Sequence, residues 1–308
     1  MFTDLKQQYR RSLKSLDTEE NIDLAFYRPI GFAWAYLFSK IGITPNAVTI
    51  ASIFLGIGAG ICFYYSELYI NVIGILMLIW ANSYDSADGQ LARMTKQYSP
   101  LGRILDGVAG DLWFASIYIA ICLRTNLSIP LFGEHPWLIW LIAVITGICH
   151  AKQASMADYY RQLHLLFVNG KSGSELDTAS DLKKQYAELS WGKNFFKKLT
   201  MLFYMNYTIN QEAWTPAMQS LRKKMAERFP EGNITDENFR QEFRNASRPL
   251  MKYTNILSFN WRTITLFTSL FIGMPWLYFV CELTIFNALL IYMMCRHERI
   301  CRRFVEKL

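Results

Sequence analysis

The acidic residues of segment 83–113 are the part of the sequence with the clearest chemistry. Asp85, Asp88 and Asp106 lie where the chain enters or leaves hydrophobic runs, and Asp111 follows five residues after Asp106. Ionisable side chains so close to lipid are costly, and they commonly mark a functional site. Aspartates without a neighbouring His or Cys offer only hard oxygen ligands, which suit Mg²⁺, Mn²⁺ or Ca²⁺. The sequence therefore predicts a divalent-cation site in this segment.

The spacing of these residues places them on shared helix faces. Asp85 and Asp88 are three positions apart, and Gly102 and Asp106 are one helical turn apart. We expect two helices joined by residues 94–101 to form a hairpin that brings the two faces together. Three carboxylates in one pocket repel one another, and a bound divalent metal would offset that repulsion.

Small and basic residues accompany the acids. Gly89, Ala92 and Gly102 would let a ligand approach the backbone closely. Arg93 can pair with phosphate oxygens. Together with the acids, these residues predict a bound nucleoside diphosphate, and the chemistry that needs such parts is metal-assisted phosphoryl transfer.

The composition indicates a membrane protein. Hydrophobic residues make up 52% of the 308 residues, which exceeds the roughly 45–50% of ordinary soluble domains. Six runs of roughly 20 residues with few charges could each cross a hydrocarbon core of about 30 Å as a helix. These runs are 46–65, 70–92, 103–123, 137–158, 257–275 and 276–294.

The basic residues predict the orientation in the membrane. With a cytoplasmic N-terminus, the external loops are 66–69, 124–136 and a turn near Pro275, and Arg124 alone of the 32 Lys and Arg lies in them. This positive-inside pattern places the aspartates near the cytoplasmic face. The net charge of +7 suits a surface that faces anionic lipid headgroups. Nucleic-acid binding is disfavoured, because the basic residues flank the spans and no nucleic-acid motif is present.

We predict an all-α membrane protein with six transmembrane helices, preceded by an amphipathic surface helix at 30–42. Thr44 and Pro45 predict the start of the first span. A helical cytoplasmic insertion between spans four and five should contain helices near 193–206 and 213–229, as a small domain or as a lid on the membrane surface. The predicted regions are 1–45 (cytoplasmic lead and interfacial helix), 46–168 (catalytic transmembrane helices one to four), 169–256 (insertion) and 257–308 (spans five and six with a basic tail).

The motif Asp85-x2-Asp88-Gly89-x2-Ala92-Arg93-x8-Gly102-x3-Asp106 resembles the signature of the CDP-alcohol phosphotransferases. The segment ITPNAVT before the first span resembles that family too. The resemblance covers 28–165 well and 257–294 only in architecture. It implies a homodimeric, Mg²⁺- or Mn²⁺-dependent enzyme that joins a phosphatidyl or phospho-alcohol group from a CDP-linked donor to an alcohol and releases CMP. It also implies that Asp85, Asp88 and Asp106 bind metal and that Gly89, Ala92, Arg93 and Gly102 line the cytidine diphosphate site.

The sequence departs from the family pattern at its last acid. The family has an Asp four residues after the third aspartate, where this chain has Gly110, and the acid here is Asp111. In a regular helix this extra residue turns the side chain about 140° from Asp106. We expect a π-turn, eased by Gly107 and Gly110, to restore Asp111 as the general base and a metal ligand. The alternative is a displaced Asp111 and lost or altered activity.

Basic residues near the end of span four suggest the acceptor. Lys152 and Arg161 resemble the pocket that holds an anionic acceptor in the family's inositol-phosphate-using branch, and Arg262 is a third candidate. The alternative is that these side chains only extend to the lipid headgroups.

The expected function is transfer of a phosphatidyl group from CDP-diacylglycerol to a polar alcohol such as inositol phosphate, with release of CMP. One alternative is transfer of a phospho-head group from a CDP-linked alcohol to diacylglycerol or ceramide. Alternatives of another class are a divalent-cation transporter and an inactive scaffold. We expect a multi-pass protein of a bacterial inner membrane rather than an organelle membrane, with the active site facing the cytoplasm.

Overall fold

The computed structural model describes residues 7–9, 12, 17–98, 100–170, 176–192, 194–229 and 234–308, and within them it contains helices and no strand. The long helices are α1 (Arg28–Ile41), α2 (Pro45–Tyr64), α3 (Leu68–Thr95), α4 (Pro100–Ser128), α5 (Pro136–Asn169), α6 (Ala179–Glu188), α7 (Phe195–Ala213), α8 (Pro216–Arg228), α9 (Glu237–Ser247), α10 (Phe259–Phe271) and α11 (Leu277–Val305). The short elements are Pro130–Glu134, Met251–Ile256, the 3₁₀ turn Arg248–Leu250 and two π-turns, Asp23–Tyr27 and Glu282–Phe286.

Five of these helices are long and apolar enough to cross a membrane. They are Pro45–Tyr64, Leu68–Thr95, Leu105–Ser128, Pro136–Asn169 and Leu277–Val305. The predicted all-α membrane fold is therefore confirmed, but the count of six spans is not. The predicted fifth span, 257–275, contains α10, whose 13 residues extend about 20 Å at 1.5 Å per residue.

The chain divides into two compact units, 1–148 with 260–283 and 149–259 with 284–308. In the first unit α2 packs against both α3 and α4. Small residues allow this approach: a side chain on Gly56 would overlap the indole of Trp113, and one on Gly60 would overlap Ser116. Close backbone contact at small residues is typical of helix packing in membranes, where van der Waals contact drives association.

The helix before the first span is present as α1 and packs on α3. Gly31 of α1 lies against Ser86, and Ala35 and Phe38 join Leu91 of α3 in an apolar cluster. The placement of α1 on the membrane surface stays a prediction. The predicted start of α2 is confirmed, because the Thr44 hydroxyl accepts a hydrogen bond from the amide of Ala47 at 3.4 Å.

A buried ion pair joins α10 to α11 in the first unit. Nη1 of Arg262 lies 2.6 Å from both carboxylate oxygens of Glu282, and the two side chains are 1% and 0% exposed. The Tyr278 hydroxyl donates to the same carboxylate at 2.6 Å. Because a charge in this environment needs a partner, Arg262 is committed to Glu282. The interpretation of Arg262 as an acceptor ligand is therefore wrong.

The second unit contains the predicted helical insertion, which packs on the ends of α5 and α11. The Glu298 carboxylate of α11 accepts the backbone N–H groups of Ala217 and Met218 at 2.7 and 3.2 Å, so it caps the start of α8. The Tyr160 hydroxyl of α5 donates to the same carboxylate at 3.3 Å. A carboxylate is favoured at a helix N-terminus because it satisfies free amides and complements the helix dipole.

The predicted insertion helices 193–206 and 213–229 correspond to α7 and α8, with shifted bounds. Parts of the predicted regions lie outside the described residues. These are 1–6, 10–11 and 13–16 of the lead and 171–175, 193 and 230–233 of the insertion.

The Arg262–Glu282 pair yields a test of the hairpin formed by α10 and α11. Arg262→Met should lower the free energy of unfolding by about 3–5 kcal/mol, because it leaves Glu282 buried without its cation. Arg262→Met combined with Glu282→Leu should recover most of that loss, since no charge stays buried. Thermal unfolding of the protein in lipid nanodiscs measures both. An unchanged unfolding temperature for Arg262→Met alone would contradict a buried pair.

Candidate functional site

Three carboxylates converge in the first unit. Asp85 and Asp88 of α3 and Asp106 of α4 each offer an oxygen, and the three oxygens lie within 4.8 Å of one another. Asp88 is buried, Asp85 half-buried and Asp106 exposed. The predicted convergence of these acids is confirmed. Asp88 is therefore enclosed by protein, whereas Asp106 is accessible from outside the protein.

The hairpin that brings the acids together is tighter than predicted. The sequence predicted a connection over 94–101, whereas α3 continues to Thr95 and α4 begins at Pro100. Lys96 ends α3 in the left-handed conformation with φ 56°, and its N–H donates to the Ala92 carbonyl. Pro100 suits the first turn of α4, since the N–H that it lacks would have no helical partner there.

The donor set fits a hard divalent cation. Metal–oxygen bonds to Mg²⁺ or Ca²⁺ are about 2.0–2.6 Å, so oxygens that share one ion lie about 3–5 Å apart. The three aspartate oxygens meet that condition within 4.8 Å. Oxygen-only ligands of this kind favour Mg²⁺, Mn²⁺ or Ca²⁺ over Zn²⁺ or copper.

Thr49 of α2 is a site residue that the sequence analysis missed. Its hydroxyl donates to a carboxylate oxygen of Asp88 at 2.5 Å and lies 3.1 Å from the Pro45 carbonyl. The side chain is 2% exposed, so it holds the Asp88 carboxylate in one orientation. Thr49 lies at the end of ITPNAVT, a segment that resembled the family, but only the packing of α2 on α3 brings it to Asp88.

The backbone beside the acids is open where the small residues lie. A methyl group on Gly89 would have the guanidinium of Arg93 as its nearest neighbour, at 3.4 Å, and one on Gly107 would meet none of the described residues within 4 Å. Ala92 and Gly102 are half-buried. A ligand could therefore lie against α3 and α4 without displacing any packed side chain.

Arg93 lies beside Gly89 and is tied to the N-terminal segment. Its Nε donates to the backbone carbonyl of Ser12 at 2.5 Å. The side-chain amide of Gln90 on α3 contacts the same region. Its oxygen accepts from the Ser12 hydroxyl at 3.3 Å, and its nitrogen donates to the Arg28 carbonyl at 3.1 Å. These contacts orient the guanidinium, and no sequence motif had indicated that residue 12 reaches this end of α3.

The predicted π-turn around Asp111 is absent. Residues 100–128 form one α-helix, and the π-turns of the described chain lie at 23–27 and 282–286. Asp111 is exposed and does not belong to the group of three acids. A regular helix carries it about 140° around the axis from Asp106, and Gly110 occupies the position one turn beyond Asp106. The prediction of a π-turn was therefore wrong for this structure, and the roles of Asp111 as base and metal ligand stay predictions.

The two predicted acceptor residues lie in the second unit, each with local partners. Lys152 Nζ donates to the Asn210 carbonyl at 3.3 Å and lies 4.2 Å from the ring centre of Trp214. Arg161 donates through Nη2 to the Ser258 hydroxyl at 2.7 Å. The Nε of Arg161 is buried and has no hydrogen-bond partner among the described residues.

Comparison with known proteins places residues 42–162 in a recognised domain. The family model described as CDP-alcohol phosphatidyltransferase matches those residues, which include all four aspartates, Thr49 and the acceptor candidates on α5.

Two curated relatives match part of the chain. One is the CDP-diacylglycerol–glycerol-3-phosphate 3-phosphatidyltransferase of Cereibacter sphaeroides, 31% identical over 102 residues, which are 33% of this chain and 43% of the relative. The other is the archaetidylinositol phosphate synthase of Aeropyrum pernix, 32% identical over 118 residues, which are 37% of this chain and 52% of the relative. The chain thus matches about half the length of these relatives.

No solved structure matches the chain significantly. The relatives, the family model and the signature aspartates nevertheless agree on one assignment. Residues 42–162 therefore carry a domain that matches the CDP-alcohol phosphatidyltransferase family.

Proposed function

We propose that this protein transfers a phosphatidyl group from CDP-diacylglycerol to a polar alcohol and releases CMP. The observation that carries the proposal is the convergence of Asp85, Asp88 and Asp106 beside open backbone, within a domain of this family. The names of both relatives include a phosphorylated alcohol, glycerol-3-phosphate in one and an inositol phosphate in the other. A phosphorylated polyol is therefore the favoured acceptor class.

Asp85, Asp88 and Asp106 would hold Mg²⁺ or Mn²⁺, which suits their oxygen-only donor set. When bound, the metal supplies positive charge that neutralises the diphosphate and stabilises the charge that develops during transfer. Thr49 fixes the orientation of Asp88 through its 2.5 Å hydrogen bond. Helix α2 would therefore hold one of the metal ligands, Asp88, in position before the metal binds.

Gly89, Ala92 and Gly102 would line the cytidine diphosphate. Their small side chains leave backbone to contact, and Arg93 extends its guanidinium beside Gly89. Because the guanidinium presents several N–H groups in a fixed plane, Arg93 can donate to diphosphate oxygens while its Nε stays on the Ser12 carbonyl. This arrangement orients the bond to be broken.

Asp111 would accept the proton of the acceptor hydroxyl. The hydroxyl oxygen forms a bond to the phosphorus of the phosphatidyl group, the bond from that phosphorus to the CMP oxygen breaks, and CMP leaves. The regular helix carries Asp111 about 140° around the axis from Asp106, so its role as base would be performed from a different face of α4 than metal binding.

Arg161 and Lys152 would favour an anionic acceptor. The hydrogen bonds of Arg161 to Ser258 and Asn255 go to neutral groups, and its Nε has no partner among the described residues. A buried guanidinium with such partners can accept a phosphate as its counter-charge. Lys152 is more constrained, because Trp214 covers its ammonium group.

The proposal includes a location and an assembly. The distribution of Lys and Arg supports an active site at the cytoplasmic face, and we propose a bacterial inner membrane as the location. The partners are the CDP-linked donor, the alcohol acceptor and membrane lipids, and we propose a homodimer by analogy with the family.

The transferase is tested by CMP release from the purified protein in lipid vesicles with Mn²⁺ or Mg²⁺. We expect metal-dependent CMP from CDP-diacylglycerol with glycerol phosphate or inositol phosphate, and none after Asp106→Asn. CMP from CDP-ethanolamine with diacylglycerol would instead support transfer of a head group to a lipid. Uptake of Mn²⁺ into vesicles without CMP release would favour the transporter, and neither activity would favour the scaffold.

Asp111→Asn tests the base. General-base catalysis contributes about 10²–10⁴-fold, so turnover should fall by that factor while binding of Mn²⁺ to the other three aspartates persists. Both quantities are measured on the same preparation, by CMP release and by Mn²⁺ electron paramagnetic resonance. Undiminished turnover would remove Asp111 from the mechanism.

Gly89→Ala and Gly56→Ala form a matched pair that separates ligand access from packing. Gly89→Ala should leave thermal stability nearly unchanged, because its methyl group meets only the flexible end of Arg93, and should lower CMP release about tenfold or more by crowding the diphosphate. Gly56→Ala should lower thermal stability, because its methyl group overlaps Trp113. Full activity of Gly89→Ala would show that the diphosphate does not approach Gly89.

A further inference from the structure

Helix α7 carries a stripe of exposed aromatic side chains in the second unit. Phe203 and Tyr207 of α7, and Trp214 directly after its last residue, recur at helical spacing on one face and are 66%, 39% and 54% exposed. On another face of α7, Thr208 is buried at 3% exposure. Aromatic exposure of this extent on a single face is typical of an interaction surface.

The C-terminal end of α7 is fixed to α5. Gln211 donates through its side-chain amide to the backbone carbonyl of Ser155 at 2.9 Å. Lys152 donates to the Asn210 carbonyl, and its ammonium group lies 4.2 Å from the centre of the Trp214 ring. Residues 210–214 therefore lie at the level of residues 152–155 along α5.

That level lies toward the end of the apolar part of α5. Exposed aliphatic residues of α5, including Leu141, Val144 and Ile148, form its lipid-facing side. Lys152 follows Ile148 by one turn and lies about 24 Å along the helix from Pro136 at 1.5 Å per residue. The hydrocarbon core is about 30 Å thick, so if Pro136 marks one edge of the core, the end of α7 would lie close to the headgroups at the other edge.

We propose that α7 lies along the membrane interface, with the rings of Phe203, Tyr207 and Trp214 among the phospholipid headgroups and upper acyl chains. Aromatic rings with a polar edge are favoured at this depth, because one end is apolar and the other meets water. The exposed Lys197 adds a cation near lipid phosphates. The occupant of this face is thus the phospholipid bilayer itself. The inference does not depend on the proposed catalytic activity.

The proposal is tested by photo-crosslinking the full-length protein in vesicles of phosphatidylcholine and phosphatidylglycerol. Phe203→p-benzoylphenylalanine and Tyr207→p-benzoylphenylalanine replace one exposed aromatic residue with another. Glu227→p-benzoylphenylalanine is the matched control, because Glu227 is exposed on α8. It lies one turn from Lys224, which donates to the Val305 carbonyl at the end of α11 at 2.8 Å.

After irradiation, mass spectrometry should detect several-fold more lipid adducts at positions 203 and 207 than at 227. Equal lipid adducts at the three positions would overturn the proposal, and crosslinked dimers formed through position 203 would assign the face to a second copy of the chain. Circular dichroism and gel filtration of each variant before irradiation establish that the comparison is made on folded protein.

Discussion

The convergence of three carboxylates next to apolar helices is the constraint on which the first unit depends. Asp85, Asp88 and Asp106 repel one another, and the surrounding hydrocarbon weakens solvent screening of that repulsion. The fold holds them within 4.8 Å through a tight hairpin and places α2 behind them, where Thr49 donates to Asp88. Packing at Gly56 and Gly60 allows α2 to come close enough for this contact.

The same requirement, that a charge in an apolar setting be partnered, governs the rest of the chain. Arg262 and Glu282 neutralise each other between α10 and α11. In the second unit Glu298 receives two backbone amides and a tyrosine hydroxyl, so that one carboxylate joins α5, α8 and α11. These groups stabilise defined contacts between helices, because breaking any of them leaves a buried polar atom without a partner.

The proposed chemistry follows from what this framework leaves accessible. Asp106, Asp111 and the backbone at Gly107 are exposed next to the buried Asp88. A phosphoryl-transfer site needs both buried and exposed groups, since the metal ligands must be rigid while the substrate has room to enter. The insertion between α5 and α10 adds a helix whose aromatic face suits the lipid boundary from which a lipid-linked donor would come.

The sequence alone determined the helical membrane class, the grouping of the three aspartates and the resemblance to the CDP-alcohol phosphatidyltransferases. It could do so because hydropathy, three- and four-residue spacing and a seven-position motif are local properties of the chain. It predicted the start of α2 at Thr44 for the same reason. It could not give the partners of Arg93, Lys152 and Arg161, which are 58 or more positions away, or the partner of Arg262, which lies on a separate helix.

Only the tertiary structure decided the length of the hairpin connection, the regular helix through Asp111 and the short α10 in place of a predicted span. Each of these depends on a balance between local preference and packing. Gly107 and Gly110 permit a π-turn but do not require one, and the apolar run 257–275 is divided where Leu257 and Ser258 form a turn and Gly273 takes a left-handed conformation. Sequence spacing fixes which side chains can share a face, whereas the three-dimensional contacts decide which of those side chains are already committed to other partners.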